Sequence, residues 1–375
     1  MTDLVWAHVV RDTDRSLFKR CRRAWDLGAR SRRNLAPVAA AAPPDLDRAV
    51  RDALAVYYFP GMWEWDREIV VPLAVEACTR SLRTQREKAT GGPDRAASGV
   101  DDDAWAEAAE AGERLLRGYF AWAPTVDDFT PVRVEADFEF DVPDADRPGL
   151  DLLARDGRAI RFRGRVDMLV IDATDTYWLL DHRVVDGGWS ETDHLVLDER
   201  GVTACWGWEQ CFLGMRIAGV VYNELRADAV PSPTVGGPSG AAARVPMGRR
   251  GHRRMDARAA RDPEPRVTQV EVPGFRRTRI PRTRSTLDRM GTQLAVEALE
   301  MTDDGLALFP HPTRANCSQC DFRAPCIAMN EGADADALLD AGYRERGPDL
   351  VEGRLGGVSW SMNRGAAPPR FGRGG

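Results

Sequence analysis

The chain has 375 residues, 43% hydrophobic and 29% charged, enough for one large domain or two with a buried core. Its 58 acidic residues against 52 basic ones give a formal net charge of −6, with a pI near 5.6. That balance excludes a protein that holds nucleic acid through bulk positive charge, and leaves room for a local basic groove. No segment approaches the roughly 20 apolar residues that span a bilayer. The opening MTDLVWAHVVRDTDR lacks the apolar core of a signal peptide. The expectation is a cytoplasmic protein without a membrane partner. Its seven cysteines would stay reduced there, and clustered cysteines in that setting serve metals more often than disulfides.

Taken in order, Asp12 to Arg33 reads as a first helix, with Leu17, Phe18, Cys21 and Trp25 at helical spacing. Thr13, Asp14 or Ser16 would cap its start, and its other faces are basic. Further helices are expected over Asp45 to Tyr58, Asp66 to Lys88 and Asp101 to Phe120, the last following a flexible GGPDRAASG break. Val132 to Phe140 alternates like an antiparallel strand. Two apolar, β-branched runs follow, Ile160 to Ile171 and Tyr177 to Val185, joined by the polar turn Asp172-Ala173-Thr174-Asp175. They read as a half-buried hairpin. A helix over Val202 to Leu213 and a buried strand over Ile217 to Leu225 come next. Residues 231–266 collapse into Pro, Gly, Ser, Ala and Arg, the composition of a disordered insertion, and the same holds for a tail over 345–375. Between them, Val267 to Ile280 reads as a strand and Thr286 to Met301 as a helix.

Two features carry chemistry. Asp167 and Asp181 sit in the two arms of the central hairpin, where a charge is costly unless it is paired or bound to a metal. Either acid alone could mark a strand end or pair with Arg165 or Arg183; together on adjacent strands they look like a metal-binding pair. The second feature is Cys317-x2-Cys320-x5-Cys326, set in a loop with Pro312 and Pro325. Three cysteines so close suit a soft metal centre, which wants a fourth thiolate from elsewhere. Cys21, inside an Arg-rich stretch, is the best candidate. Four-cysteine zinc is the alternative.

Ser16-x-Phe18-x-x-Cys21-x-Arg23-x-Trp25, Gly164-Arg165-Val166-Asp167, Asp181-His182-Arg183 and the terminal cysteine triplet follow in that order. This arrangement resembles the RecB-like, CRISPR-associated exonuclease branch of the PD-(D/E)XK nuclease superfamily, over roughly residues 12–331. The resemblance implies an α/β fold, restriction-endonuclease-like, with a mixed central sheet flanked by helices. It implies a helical lobe over 12–125, the sheet and motif hairpin over 130–226, and a last strand, helix and Cys-rich cluster region over 267–331. It also implies a four-iron four-sulfur cluster on Cys21, Cys317, Cys320 and Cys326, and Mg²⁺ or Mn²⁺ on Asp167 and Asp181. The expected partner is DNA, single-stranded or at ends.

The catalytic positions depart from that pattern. Arg183 stands where the family places a lysine; it keeps the charge but cannot exchange a proton. Arg51 stands at the family's histidine, and the stretch starting at Arg200 has lost its Gln and Tyr signature. The reading is therefore a DNA-binding protein of this family with impaired or absent cleavage, in which Arg51, Arg183 and Arg200 either contact phosphate or merely neutralise the acids. An active metal-dependent DNA exonuclease is one alternative. A silent partner of a nuclease or helicase complex is another. Glu135 and Glu139 could add a ligand, although their alternation fits a solvated face better. Trp63 and Trp65, like Trp206 and Trp208, could stack bases or simply pack in the core. His182, between the two motif residues, should point to the opposite face from both.

Overall fold

The computed structural model describes residues 7–38, 43–89, 101–228 and 266–347. Most of the insertion expected over 231–266, the GGPDRAASG break and all but the first residues of the expected tail lie outside them. The elements in chain order are β1 His8–Arg11, α1 Asp12–Arg20, α2 Arg22–Gly28, β2 Leu35–Pro37, α3 Leu46–Tyr57, α4 Arg67–Ala89 and α5 Asp102–Trp122. Then come β3 Phe129–Asp141, β4 Ile160–Asp172, β5 Tyr177–Val185, α6 Thr192–Val196, α7 Glu199–Cys211 and β6 Ile217–Arg226. The chain continues through β7 Thr268–Val272, β8 Phe275–Pro281 and α8 Arg284–Met301. It closes with α9 Arg314–Cys317, α10 Arg323–Glu331, α11 Ala335–Gly342 and β9 Tyr343–Glu345.

Seven of the strands form one mixed sheet, ordered β1-β4-β5-β6-β8-β7, with β3 on the other edge of β4. β1 runs parallel to β4 and β5 parallel to β6, while the remaining pairs are antiparallel. The class is therefore α/β, with helices on both faces of the sheet. On one face α7 and α8 bury Trp206, Trp208 and Leu294 against Phe162 and Val220. On the other, α3, α4 and α5 bury Tyr57, Leu116 and Tyr119 against Met168 and Val221. A third, small cluster of Ala24, Leu27, Phe322 and Leu339 joins α2 to α10 and α11. No helix among the described residues is long and apolar enough to cross a membrane.

Several expectations are corrected. The first helix is two, because Cys21 adopts an extended backbone (φ −165°, ψ 115°) between α1 and α2, and no side chain caps α1. The strand expected over Val267 to Ile280 is a hairpin whose turn falls at Pro273-Gly274, with Gly274 at φ 92°. α7 starts at Glu199 rather than Val202, since Asp198 caps it by accepting from the Arg200 N–H at 3.1 Å. Strand β1 precedes the expected domain start at residue 12, and α11 and β9 lie beyond its end at 331. Glu345, assigned to a tail, pairs with Leu35, so β2 and β9 join the two ends of the described chain in a small antiparallel sheet.

Candidate functional site

The central hairpin forms as expected, with β4 paired to β5 from Met168↔Leu180 to Ile171↔Tyr177. In β4 the alternation slips at Asp167: Val166 and Leu169 join one core, whereas Met168 and Val170 join the other. Asp167 sits at that change of face, 7% exposed. Its Oδ2 accepts from the His182 backbone N–H at 2.9 Å. The register of β3 places Glu135 across from Asp167, between Val134↔Met168 and Ala136↔Val166. Glu135 holds a left-handed backbone (φ 47°), and its side chain is only 13% exposed. Three carboxylates, Glu135, Asp167 and Asp181, therefore come from three adjacent strands. Burial, then the charges of Asp181 and Glu135, push the Asp167 carboxyl up to about 8.

Arginines answer these acids. Arg183 donates to Asp181 Oδ2 through Nε at 2.9 Å and Nη2 at 2.6 Å, and Nη2 also bonds Asp198. Its guanidinium lies 4.6 Å from the Tyr222 ring centroid. Arg51, on α3, pairs with Asp47 at 2.7 Å and reaches Asp167 at 3.9 Å. Asp47 also accepts from the Val184 N–H at 2.8 Å, which pins the end of β5 to that helix. Arg200 faces Asp12 at 3.4 Å and stays half-exposed. Two of the three arginines singled out in the sequence, Arg51 and Arg183, thus reach the acid pair, while Arg200 pairs with Asp12 instead. The carboxylates that partner them, Asp12, Asp47 and Asp198, were not anticipated. Asp198 alone carried a signal, as the polar residue before an acidic first helical turn.

His182 takes the face opposite Asp181 and Arg183. It stacks on Tyr58 (5.9 Å, 18°) and meets Asn223 Nδ2 through Nδ1 at 2.9 Å. Burial, then the charges of Arg277 and Arg51, hold it down to about 3, so it is neutral. Glu139 pairs with Arg161 and Arg163, the solvated role expected of it, whereas Glu135, its side chain 13% exposed, pairs with Arg165 at 3.3 Å. Trp206 and Trp208 are core residues. Trp63 stacks between Tyr58 and Arg67, and Trp65 is 51% exposed.

At the far corner, the break between α1 and α2 turns the Cys21 Sγ toward the C-terminal segment, where it accepts from the His311 N–H at 3.4 Å. Cys21 and Cys320 pack on the same small cluster. Burial raises the Cys320 thiol; the charge of Arg20 opposes that rise, and those of Cys21 and Cys317 add to it. Arg23 approaches Cys326 Sγ at 3.6 Å and bonds Asn330 Oδ1 at 2.8 Å. Cys21, Cys317, Cys320 and Cys326 are all free and half-buried. The two aspartates, each facing a guanidinium, do not fit a hard divalent cation as they stand. Among the described residues no three His, Cys, Asp or Glu side chains come close enough together to hold a metal ion. No protein-family model matches the chain, and no curated protein matches it.

Proposed function

We propose that the chain is a nuclease-like protein of the RecB-like PD-(D/E)XK type that binds DNA and cleaves it poorly or not at all. One observation carries this reading: the residue at the family's lysine position, Arg183, bridges Asp181 and Asp198 instead of standing beside an open metal site. An arginine cannot shuttle a proton at neutral pH, and here its donors are spent on carboxylates. The restriction-endonuclease-like version of the α/β fold belongs to the same proposal, supported by acids on paired central strands with helices on both faces. Cys21, Cys317, Cys320 and Cys326 would hold a four-iron four-sulfur cluster, with zinc as the alternative. Such a group would staple the two ends of the chain.

The arrangement favours neutralisation over phosphate clamping for Arg51 and Arg183. Arg200, with its side chain 50% exposed, is the best placed of the three to reach a phosphate. The test is a nuclease assay on anaerobically prepared protein, with Mg²⁺ and Mn²⁺, on single- and double-stranded DNA, beside an Asp181→Ala control. DNA binding without cleavage is expected. Cleavage that vanishes in the control would establish an active exonuclease instead.

A further inference from the structure

Several arginines around the thiol corner belong to no ion pair, and an exposed aromatic ring lies among them. We propose that the surface over the α1–α2 break and residues 309–326 holds a single DNA strand, with Arg20, Arg314 and Arg323 on its phosphates and Phe309 stacked on a base. This rests on the DNA-binding reading above and deepens it by naming the kind of strand and the surface that takes it.

Charge comes first. Residues 19–25 and 309–330 carry six basic residues and one acid, Asp321, on a chain whose net charge is −6. Among the described residues, Arg20, Arg314 and Arg323 are exposed and meet no carboxylate. The fold gathers them at one corner. The Arg20 carbonyl, at the end of α1, accepts from His311 Nδ1 at 3.2 Å and from Asn316 Nδ2 at 3.0 Å, and Asn316 lies two residues beyond Arg314 on α9. The Arg323 backbone N–H, opening α10, donates to the Cys320 carbonyl at 3.1 Å, and Cys320 packs on the same cluster as Cys21.

Exposed arginines are by themselves ordinary solvated charges, and Arg80 and Arg83 on α4 are in the same condition. The corner adds a stacking platform. Phe309 is 54% exposed, and the Arg22 guanidinium lies 5.3 Å from its ring centroid and 5.2 Å from that of Phe18. Glu300 fixes Arg22 in turn, at 2.8 Å. A ring braced by a guanidinium and still half in water offers its area to a base, which a single strand presents and a duplex hides. An acidic peptide would use the arginines and leave Phe309 idle.

The experiment is fluorescence anisotropy of a labelled single-stranded oligonucleotide with the full chain, prepared anaerobically, across a salt series. Arg20→Gln/Arg314→Gln/Arg323→Gln should lower the slope of log affinity against log salt by about two. Arg80→Gln/Arg83→Gln/Arg289→Gln removes the same charge from exposed positions elsewhere and should leave the slope near wild type. Phe309→Ala should weaken single-strand binding by about tenfold at an unchanged slope, Phe309→Trp should restore it, and a duplex of the same length should respond to neither. Melting temperatures should match wild type throughout, since every altered side chain is at the surface. A corner variant that binds like wild type, or a control that loses as much, would overturn the inference and leave DNA binding in place. So would an equal loss on the duplex in Phe309→Ala. Wild-type protein that binds no DNA would overturn both readings together.

Discussion

At the scale of single residues, two buried titratable groups on adjacent strands pull stability in opposite directions. The Asp167 carboxyl is held at about 8 against an ordinary 3.8, by burial first and by Asp181 and Glu135 next. Between those values the folded chain keeps a proton that the unfolded chain has shed, so stability falls as pH rises through that window and levels off above it. Asp167→Asn should therefore melt close to wild type near pH 4 and several degrees above it near pH 8, by thermal denaturation across a buffer series. His182, held at about 3 against an ordinary 6.5, has the reverse sign. The unfolded chain gains a proton there first, so stability is lost as pH falls through that window. His182→Gln should flatten the acid limb of the same melting series. The motif residues Asp167, Asp181 and Arg183 were legible in the sequence because strands seldom carry such charges. Glu135 was legible only as the less favoured alternative, since alternation puts it in solvent and nothing in its identity announces a left-handed backbone. Asp47 and Asp12 were hidden: what they pair with is set by how α3 and α7 dock on the sheet.

At the scale of elements, helix α7 owes its position to a missing side chain. A Cβ at Gly207 would meet the Phe138 ring at 2.7 Å and the Phe140 ring at 2.9 Å. Gly207→Ala should cost about 1–3 kcal/mol by overpacking the sheet face. Gly188→Ala, which would meet nothing within 4 Å, should stay within about 0.5 kcal/mol of wild type. Urea denaturation of the pair checks the contrast. Helical periodicity and strand alternation made the long elements readable from composition alone, α3, α5, β4 and β6 among them. What escaped was punctuation. The Pro273-Gly274 pair is an ordinary turn signal inside an apolar run. The break at Cys21 has no such signal, because helical spacing continues through it. β1 pairs in parallel with a strand far along the chain, and four residues give too short a pattern to notice.

At the scale of the whole molecule, cysteine chemistry separates the corner from the cores. Burial pushes the Cys78, Cys205 and Cys211 thiols up to about 12, which leaves them inert at ordinary pH. Alkylation of native, metal-free protein near pH 8 should modify Cys21, Cys317, Cys320 and Cys326 and spare those three, by mass spectrometry of the digest. Modification of Cys205 in folded protein would contradict the packing around α7. The chain's acidic balance also bears on the DNA binding proposed above. With most arginines among the described residues paired internally, those residues should offer few phosphate contacts, and the affinity they supply should weaken only modestly with salt. Arg200→Gln should lower the slope of log affinity against log salt by about one, read by fluorescence anisotropy.

The pairing of β2 with β9 has a consequence for how the protein is made. Leu35 leaves the ribosome about 310 residues before its partner Glu345, a delay of roughly 15–60 s during synthesis. Through that interval the first corner of the protein has a strand with nothing to pair with. The strand is only three residues long and ends in Pro37, which has no backbone N–H to offer a neighbouring nascent chain. A strand this short is a poor template for aggregation, and the last helices to emerge find it still unclaimed.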